Sequence, residues 1–527
     1  MSKLFSKRVL LIDDQEDMRK QIKLALQILG FGRLNFAESA KDALNKIAET
    51  DYDIVMCDYN LGESMDGQQL LEFLRVTNRI RATTLFVMIT AEAGYDKVVT
   101  ASEYTPDAYV LKPFTGQALG QKLEKMIDRQ DVLQPLQSAI DDKNPAAIIA
   151  EANKLLVAKQ YISEAVKAKG EALLMQKMYP EALELYGPLA QRSIPWAMHG
   201  QALAMRGLSD DDGALLQLSE LISASPMYLS AYDLQADIML GNGDAQGAFD
   251  ILKKASDISP NSLHRARVVS KAAFETGEHA TAEEAMEKVL KRHKYSPLKR
   301  ATDFTTLSKA KVVLGKSDEA MKVLRSAEAE FTHPTDAAII SIGKAVACKA
   351  AGDEESASQH LAEAMKIDPN QLPLMAVASL AEACYALGND AAGENLLKQM
   401  VQNNPDSQEA KRLVEITLQE QGKADTAEHL IASSEKEVIQ LNNQGVRLAG
   451  EGKLDEAVQL LRDAATRLPN NQAIVGNAAY CMAVTMQKNG LNETMYQDCA
   501  KLMATLKKKN PKHPRLAQVD AILAKLK

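Results

Sequence analysis

The chain has 527 residues, of which 25% are charged and 46% hydrophobic, a size that exceeds one hydrophobic core and implies two or more domains. A formal net charge of −8 excludes the basic field that would draw nucleic acid or anionic lipid. Aromatics are only 5% of the residues, with Trp196 the single tryptophan, and the many Ala, Leu, Glu, Lys and Gln residues favour helix over sheet for most of the length.

In chain order, the first 130 residues alternate short apolar runs with helical patterns. Val9–Ile12, Ile54–Cys57, Leu85–Ile89 and Ala108–Leu111 read as buried strands, with Leu34–Ala37 as a weaker candidate. Asp17–Leu29, Ala40–Glu49, Asp66–Thr77 and Thr115–Arg129 carry apolar residues at helical spacing between and after them. Such alternation predicts an α/β doubly wound parallel sheet with helices on both faces. Its ligands bind beyond the carboxyl ends of the strands.

Those strand ends hold chemistry. The first runs into Asp13-Asp14, the third into Asp58, the fourth into Thr90 and the fifth into Lys112-Pro113. In a parallel sheet they share one edge, so three carboxylates, a hydroxyl and an ammonium converge. Clustered carboxylates repel unless a cation neutralises them, and hard oxygen ligands with room for water suit Mg²⁺. A carboxylate beside Mg²⁺ can attack a phosphoryl group while Lys112 stabilises its oxygens. Singly each residue has a plainer role: Asp14 or Asp17 could cap a helix, Thr90 could begin a loop, and Lys112 could be a solvated charge. Five together, each at its strand end, point to a site.

The stretches LLIDDQEDMRKQIKLALQILGF, IVMCDYN, FVMITAEA and DAYVLKPF resemble the receiver domain of two-component response regulators, with its flavodoxin-like fold. The resemblance implies that Asp58 is the phosphoacceptor. Asp14, Asp58 and the backbone carbonyl of Asn60 would bind Mg²⁺, with Asp13 acting through water. Thr90 and Lys112 would contact the phosphoryl group, and Tyr109 would be the switch aromatic. Asn60 and Glu92 would tune self-dephosphorylation, and the peptide before Pro113 would be cis. One segment departs from the pattern: Tyr59–Gly67 lacks the usual Pro and is one residue longer.

Residues 131–160 contain a turn at Asp141–Pro145 followed by an amphipathic helix, and are expected to form a helical linker. From residue 161 onward, helix follows helix. Pro226 and Pro260 are 34 residues apart, as are Ala248 and Ala282, which is the period of paired-helix repeats. AYDLQADIMLGNGDAQGAFDILKKASDISP is the clearest copy, turning at Gly243-Asp244, with Ala236, Ala248 and Ala255 at close packing points and Pro260 closing it. LNNQGVRLAGEGKLDEAVQLLRDAATRLP repeats that frame with Gly445, Gly452, Ala457, Ala464 and Pro469. Further copies turn at Gly277, Gly315, Gly352, Gly388, Gly422 and Gly490, and two earlier ones lie around Gly170–Tyr186 and Gly200–Pro226. The array resembles tetratricopeptide repeats, about ten by the period, closed by HPRLAQVDAILAKLK as a capping helix. The resemblance implies a solenoid with a groove for protein partners. Met205, Met239, Met482 and Met486 fall on or near the groove helices, where filling the core is the plainer role for Met.

No phosphate-binding glycine loop, metal-ligand spacing or paired catalytic acids follow residue 130. The five cysteines, Cys57, Cys348, Cys384, Cys481 and Cys499, contain no CxxC pair, which argues against a disulfide framework. No signal-peptide pattern opens the sequence and no apolar run reaches about 18 residues, so the expected location is cytoplasmic. The expected function is a phosphorylation-controlled signalling adaptor, not an enzyme beyond self-phosphorylation and self-dephosphorylation at Asp58. Its expected partners are a histidine kinase or phosphotransfer protein, an unidentified protein held in the repeat groove, and a second copy of the chain as a homodimer. Nucleic acid and membrane are not among them. The rivals are a constitutive scaffold, a phosphate sink and, less favoured by charge, a DNA-binding regulator.

Overall fold

A computed structural model describes residues 3–62, 65–91 and 104–525. The chain divides into two compact units, Met1–Lys299 and Arg300–Lys527. The first begins with five strands, β1 (Arg8–Ile12), β2 (Arg33–Ala37), β3 (Ile54–Asp58), β4 (Leu85–Thr90) and β5 (Ala108–Leu111). All pairings are parallel, in the order β2-β1-β3-β4-β5. Among the described residues, helices α1 (Glu16–Ile28), α2 (Ala40–Glu49), α3 (Gly67–Val76) and α4 (Gly116–Asp141) accompany them.

The alternation of side chains along each strand assigns the two faces. Leu10, Ile12, Val55, Cys57, Phe86 and Met88 pack with Ala43 and Ile47 of α2 and Leu70, Leu71 and Leu74 of α3. Val9, Leu11, Ile54, Met56, Val87 and Ile89 pack with Ile22 and Leu26 of α1 and Leu119, Leu123 and Ile127 of α4. Because both faces are covered, the central strands β1, β3 and β4 are apolar at every position except their ends at Arg8, Asp58 and Thr90. Strand β2 lies at the edge, with only Ala37 buried, which is why its sequence signal is weak.

Helix α4 overturns the expected end at Arg129. It continues through 26 residues to Asp141, carrying Pro135 inside it, so the first third of the expected linker belongs to the last helix of the α/β domain. The apolar spacing explains this: beyond Ile127, Leu133, Leu136 and Ala139 continue the buried stripe and pack against Ile148, Ala152 and Ala165. These belong to α5 (Pro145–Val157) and α6 (Ile162–Met175). Two contacts fasten the extension to the α/β domain: Lys7 Nζ lies 3.7 Å from Asp131, and the Ala82 amide donates to Asp141 Oδ1 at 2.9 Å.

The unit continues through α7 (Tyr179–Ala190), α8 (Pro195–Gly207), α9 (Asp211–Ala224), α10 (Leu229–Gly241), α11 (Ala245–Ile258), α12 (Leu263–Thr276) and α13 (His279–Arg292). Gly243 and Gly277 make their turns at positive φ, but the earlier turns use Lys177 and Ser209 in the same left-handed conformation. Gly170 and Gly200 lie inside helices, where they make room for Tyr186: a Cβ would stand 2.2 Å from its hydroxyl at Gly170 and 2.5 Å from its ring at Gly200. The ring is thus wedged between α6 and α8, and Trp196 meets it edge-on at 6.3 Å between centroids.

The second unit repeats the pairing, as in Leu374–Ala386 with Asp390–Asn403. Its turns fall at Gly315, Gly352, Gly388, Gly422, Gly452 and Gly490, all at positive φ. Met482 and Met486 are buried in its core. The frame implies a break between the helix following Gly422 and the one containing Gly445, yet Ala427–Gly450 is one helix of 24 residues. No Gly or Pro stands between residues 423 and 444 to interrupt it. With that connection absent, the flanking loops meet directly. Asn403 Oδ1 accepts from the Asn470 amide at 2.7 Å, Asn471 donates to the Gln402 carbonyl at 2.8 Å, and Asn403 donates to Asn370 Oδ1 at 2.7 Å. Pro514–Leu523 ends the described chain as the expected terminal helix, turning Leu516 and Val519 inward.

Gly200→Ala should destabilise the first unit by about 1–3 kcal/mol, because Tyr186 is buried and its ring has no clear path of retreat. Trp196 fluorescence during denaturant unfolding measures the shift at the wedge itself; an unchanged midpoint would show that the ring moves freely.

Candidate functional site

The edge where strands β1, β3, β4 and β5 end gathers the expected residues. Asp13 is fully buried and Asp58 nearly so, while Asp14 is exposed. One carboxylate oxygen from each lies within 4.8 Å of the others. Lys112 Nζ stands 3.1 Å from Asp13 Oδ2 and 3.1 Å from Asp58 Oδ1. The other oxygen of Asp13 accepts from the Gln15 amide at 2.9 Å, and its carbonyl accepts from Arg19 at 2.6 Å. Asp13 is therefore the most firmly held of the three.

Strand register sets Lys112 in place. Thr90 lies opposite Leu111, and the Lys112 amide donates to the Thr90 carbonyl at 2.7 Å. Thr90 is buried. The Lys112-Pro113 peptide is cis. Tyr109 pairs in register with Met88 and packs half-buried against the cluster containing Phe86 and Met88. Asn60 is exposed two residues past Asp58, and Glu92 lies outside the described residues.

The departing loop is shaped by two glycines. Gly62 adopts positive φ (+73°), and a Cβ there would lie 3.5 Å from Asp14 Oδ2. Gly67 admits no side chain, since a Cβ would sit 2.5 Å from the Asp58 carbonyl oxygen and 3.0 Å from Met88 Sδ. Its amide donates to the Tyr59 carbonyl at 2.8 Å, closing the loop onto the end of β3. Asp66 then caps α3, accepting from the Gln69 amide at 2.8 Å, while Gln69 Oε1 accepts from the Asp66 amide at 3.2 Å. This reciprocal cap was legible as an Asp-x-x-Gln pattern, though sequence reasoning passed over it.

Electrostatically the pocket is strained. Desolvation pushes the Asp58 carboxyl above its ordinary range; Lys112 counters this and Asp13 adds to it. Burial likewise drives the Cys57 thiol well up. Two buried carboxylates and one exposed carboxylate against one ammonium leave an excess of negative charge among hard oxygen donors. That donor set fits a small divalent cation held by Asp13, Asp14 and Asp58. The arrangement can bind such an ion, present the Asp58 oxygen to an electrophilic phosphorus, and hold the transferred group against Lys112 and Thr90.

In the absence of divalent metal, Asp58→Asn should raise the melting temperature of the first unit at neutral pH. The folded carboxyl holds its proton more tightly than the unfolded one, so its charge costs stability as pH rises through the folded value. The gain should fade as pH falls towards the unfolded value of 3.8. Melting curves of both proteins across pH, with and without Mg²⁺, check this, and a gain independent of both would refute it.

Comparison with known proteins matches two stretches of the chain to families. Residues 9–124 match the model of the response regulator receiver domain, and residues 349–416 match that of the tetratricopeptide repeat. The chain is 34% identical over 122 residues to the chemotaxis protein CheY of Pseudomonas aeruginosa, covering 23% of this chain and 97% of that one. Identity to the chemotaxis protein CheY-3 of Vibrio cholerae is 33% over 122 residues, covering 23% and 92%. The solved chemotaxis response regulator CheY4 of Vibrio cholerae aligns at 24% identity with a TM-score of 0.21, covering 23% of this chain and 97% of that one.

Proposed function

The chain belongs to the response regulator receiver family through residues 9–124, and from that premise we propose that it is a signalling adaptor controlled by phosphorylation of Asp58. The single observation that carries this reading is Lys112 bridging Asp13 and Asp58 at 3.1 Å each. A domain that merely docked would have no use for two buried carboxylates, Asp13 and Asp58, with an ammonium across them, since burying such charges is costly.

In the proposed reaction an Asp58 carboxylate oxygen attacks phosphorus of a phosphohistidine on a kinase or phosphotransfer protein. The phosphorus–nitrogen bond breaks and its electron pair returns to the imidazole. Lys112 Nζ, already beside Asp58 Oδ1, follows the developing charge onto the phosphoryl oxygens, and the Thr90 hydroxyl hydrogen-bonds to one of them. Mg²⁺, when bound by Asp13, Asp14, Asp58 and the Asn60 carbonyl, would supply Lewis-acid stabilisation of those oxygens. Water later attacks the acyl phosphate, releasing inorganic phosphate and restoring the carboxylate. Asn60 and Glu92, two residues past Asp58 and Thr90 respectively in sequence, are the residues proposed to tune that hydrolysis.

The added group carries about −1.5 to −2 charges, enough to bias Thr90 and Tyr109 between two arrangements. The repeats supply the output, holding an extended segment or helix of a partner protein. A phosphate sink would have no use for them. No helix among the described residues is long and apolar enough to cross a membrane, and we place this exchange in the cytoplasm.

Acetyl phosphate with Mg²⁺ should add one phosphoryl group to the wild type and none to Asp58→Asn, as read by intact mass. Lys112→Ala should slow the labelling by about 10²-fold or more. A partner pull-down with the same proteins separates the readings: capture that depends on acetyl phosphate supports the adaptor, and equal capture in every condition points to a constitutive scaffold.

A further inference from the structure

Helix α13 ends on the loop that leaves the acceptor. Arg292, its last residue, pairs through its guanidinium with Asp66 Oδ2, and its backbone carbonyl accepts from Gln69 Nε2 at 3.1 Å. The two receiver residues are the two halves of the cap at the start of α3. A helix from the repeat region thus grips, by one side chain and one carbonyl, the helix that follows the phosphorylation loop, across 226 residues of sequence.

Four features make this more than a surface ion pair. The carboxyl end of one helix meets the amino end of another, so the partial charges of their unsatisfied carbonyls and amides have opposite sign. The Asp66 side chain is 12% exposed and that of Arg292 44%, which places the pair at the margin of a packed contact. His293, the next residue, is itself buried, with Nε2 2.7 Å from the Asn261 carbonyl, so the end of α13 is anchored on its own side. The clasp is also in contact with the acceptor: Gly67, the residue after Asp66, packs against the Asp58 backbone carbonyl.

We propose that this clasp reads the state of Asp58: the Arg292 guanidinium and α13 carbonyl bind the start of α3 more tightly when Asp58 carries a phosphoryl group. The inference rests on the reading of Asp58 as acceptor. It assigns the coupling to α3, through Asp66 and Gln69, and so to a different path from that of Thr90 and Tyr109. The sign follows from charge. The phosphoryl group adds negative potential one short loop away from a cation already in place, and α3 transmits any movement of that loop to its cap. Linkage requires reciprocity, so a phosphoryl mimic strengthens the clasp and the clasp strengthens binding of the mimic.

The test uses the full chain and beryllofluoride with Mg²⁺ as the mimic, its affinity read by fluorine resonance. Arg292→Ala should weaken beryllofluoride binding about fivefold or more, and Arg292→Lys, which keeps the charge but loses the fork, should recover part of the loss. Hydrogen exchange at residues 67–71 should slow with beryllofluoride in the wild type and respond less in Arg292→Ala. Equal or tighter binding by Arg292→Ala, with normal binding by the wild type, overturns the clasp and leaves the acceptor reading intact. A wild type that neither binds beryllofluoride nor takes up phosphoryl from acetyl phosphate overturns the acceptor reading itself. Arg292 is partly exposed and caps no core, so its removal leaves a folded protein on which the measurement can be made.

Discussion

The ammonium of Lys112, shared between Asp13 and Asp58, is the interaction on which the α/β domain's chemistry depends. Without it two buried carboxylates would face each other in a medium that screens poorly. With it they stand close together, and three carboxylates against one ammonium leave the excess of oxygen donors that suits a small cation. Its placement is a consequence of backbone geometry: β5 pairs in parallel with β4, Thr90 lies opposite Leu111, and the next residue projects over the ends of β1 and β3. The strand order does the rest, since β1 and β3 are neighbours and their carboxyl ends open where helices leave to opposite faces.

Most of this pocket was legible in the sequence, for a physical reason. Residues at the ends of buried parallel strands are located by the strands themselves, and apolar runs such as Ile54–Cys57 announce those strands. Asp13, Asp14, Asp58, Thr90 and Lys112 therefore fall where reading predicts. Glu92 lies outside the described residues, so its place is not part of that agreement. Close approaches were harder to read. Gly67 is demanded by the back of Asp58 and Gly62 by its conformation beside Asp14, and both depend on folded neighbours. Arg292 left no trace at all, because nothing in a helix's last residue says which distant helix it will meet.

The helical region was legible in its period and misread at its joints. Where turns use glycine, as at Gly243, Gly352 and Gly452, the frame is easy to see. Where Lys177 and Ser209 take the same left-handed conformation, the turn signal vanishes, and Gly170 and Gly200 instead lie within the paired helices, making room for Tyr186. Continuity was the other failure. Helix α4 and the helix Ala427–Gly450 run through positions where the pattern implies a boundary: the second has no Gly or Pro between residues 423 and 444, and the first runs through Pro135.

Arrays of this architecture ordinarily unravel piecemeal, since each unit touches only its neighbours and the weakest end opens first. The uninterrupted helix at Ala427–Gly450 changes that rule for its surroundings. Its two halves belong to successive units, so neither can melt without breaking hydrogen bonds that the other needs. The asparagines of the flanking loops, Asn403 with Asn470 and Asn471 with Gln402, tie the same units a second time. The stretch from Asp390 to Arg467 should therefore open as one block where other stretches of the array open pair by pair.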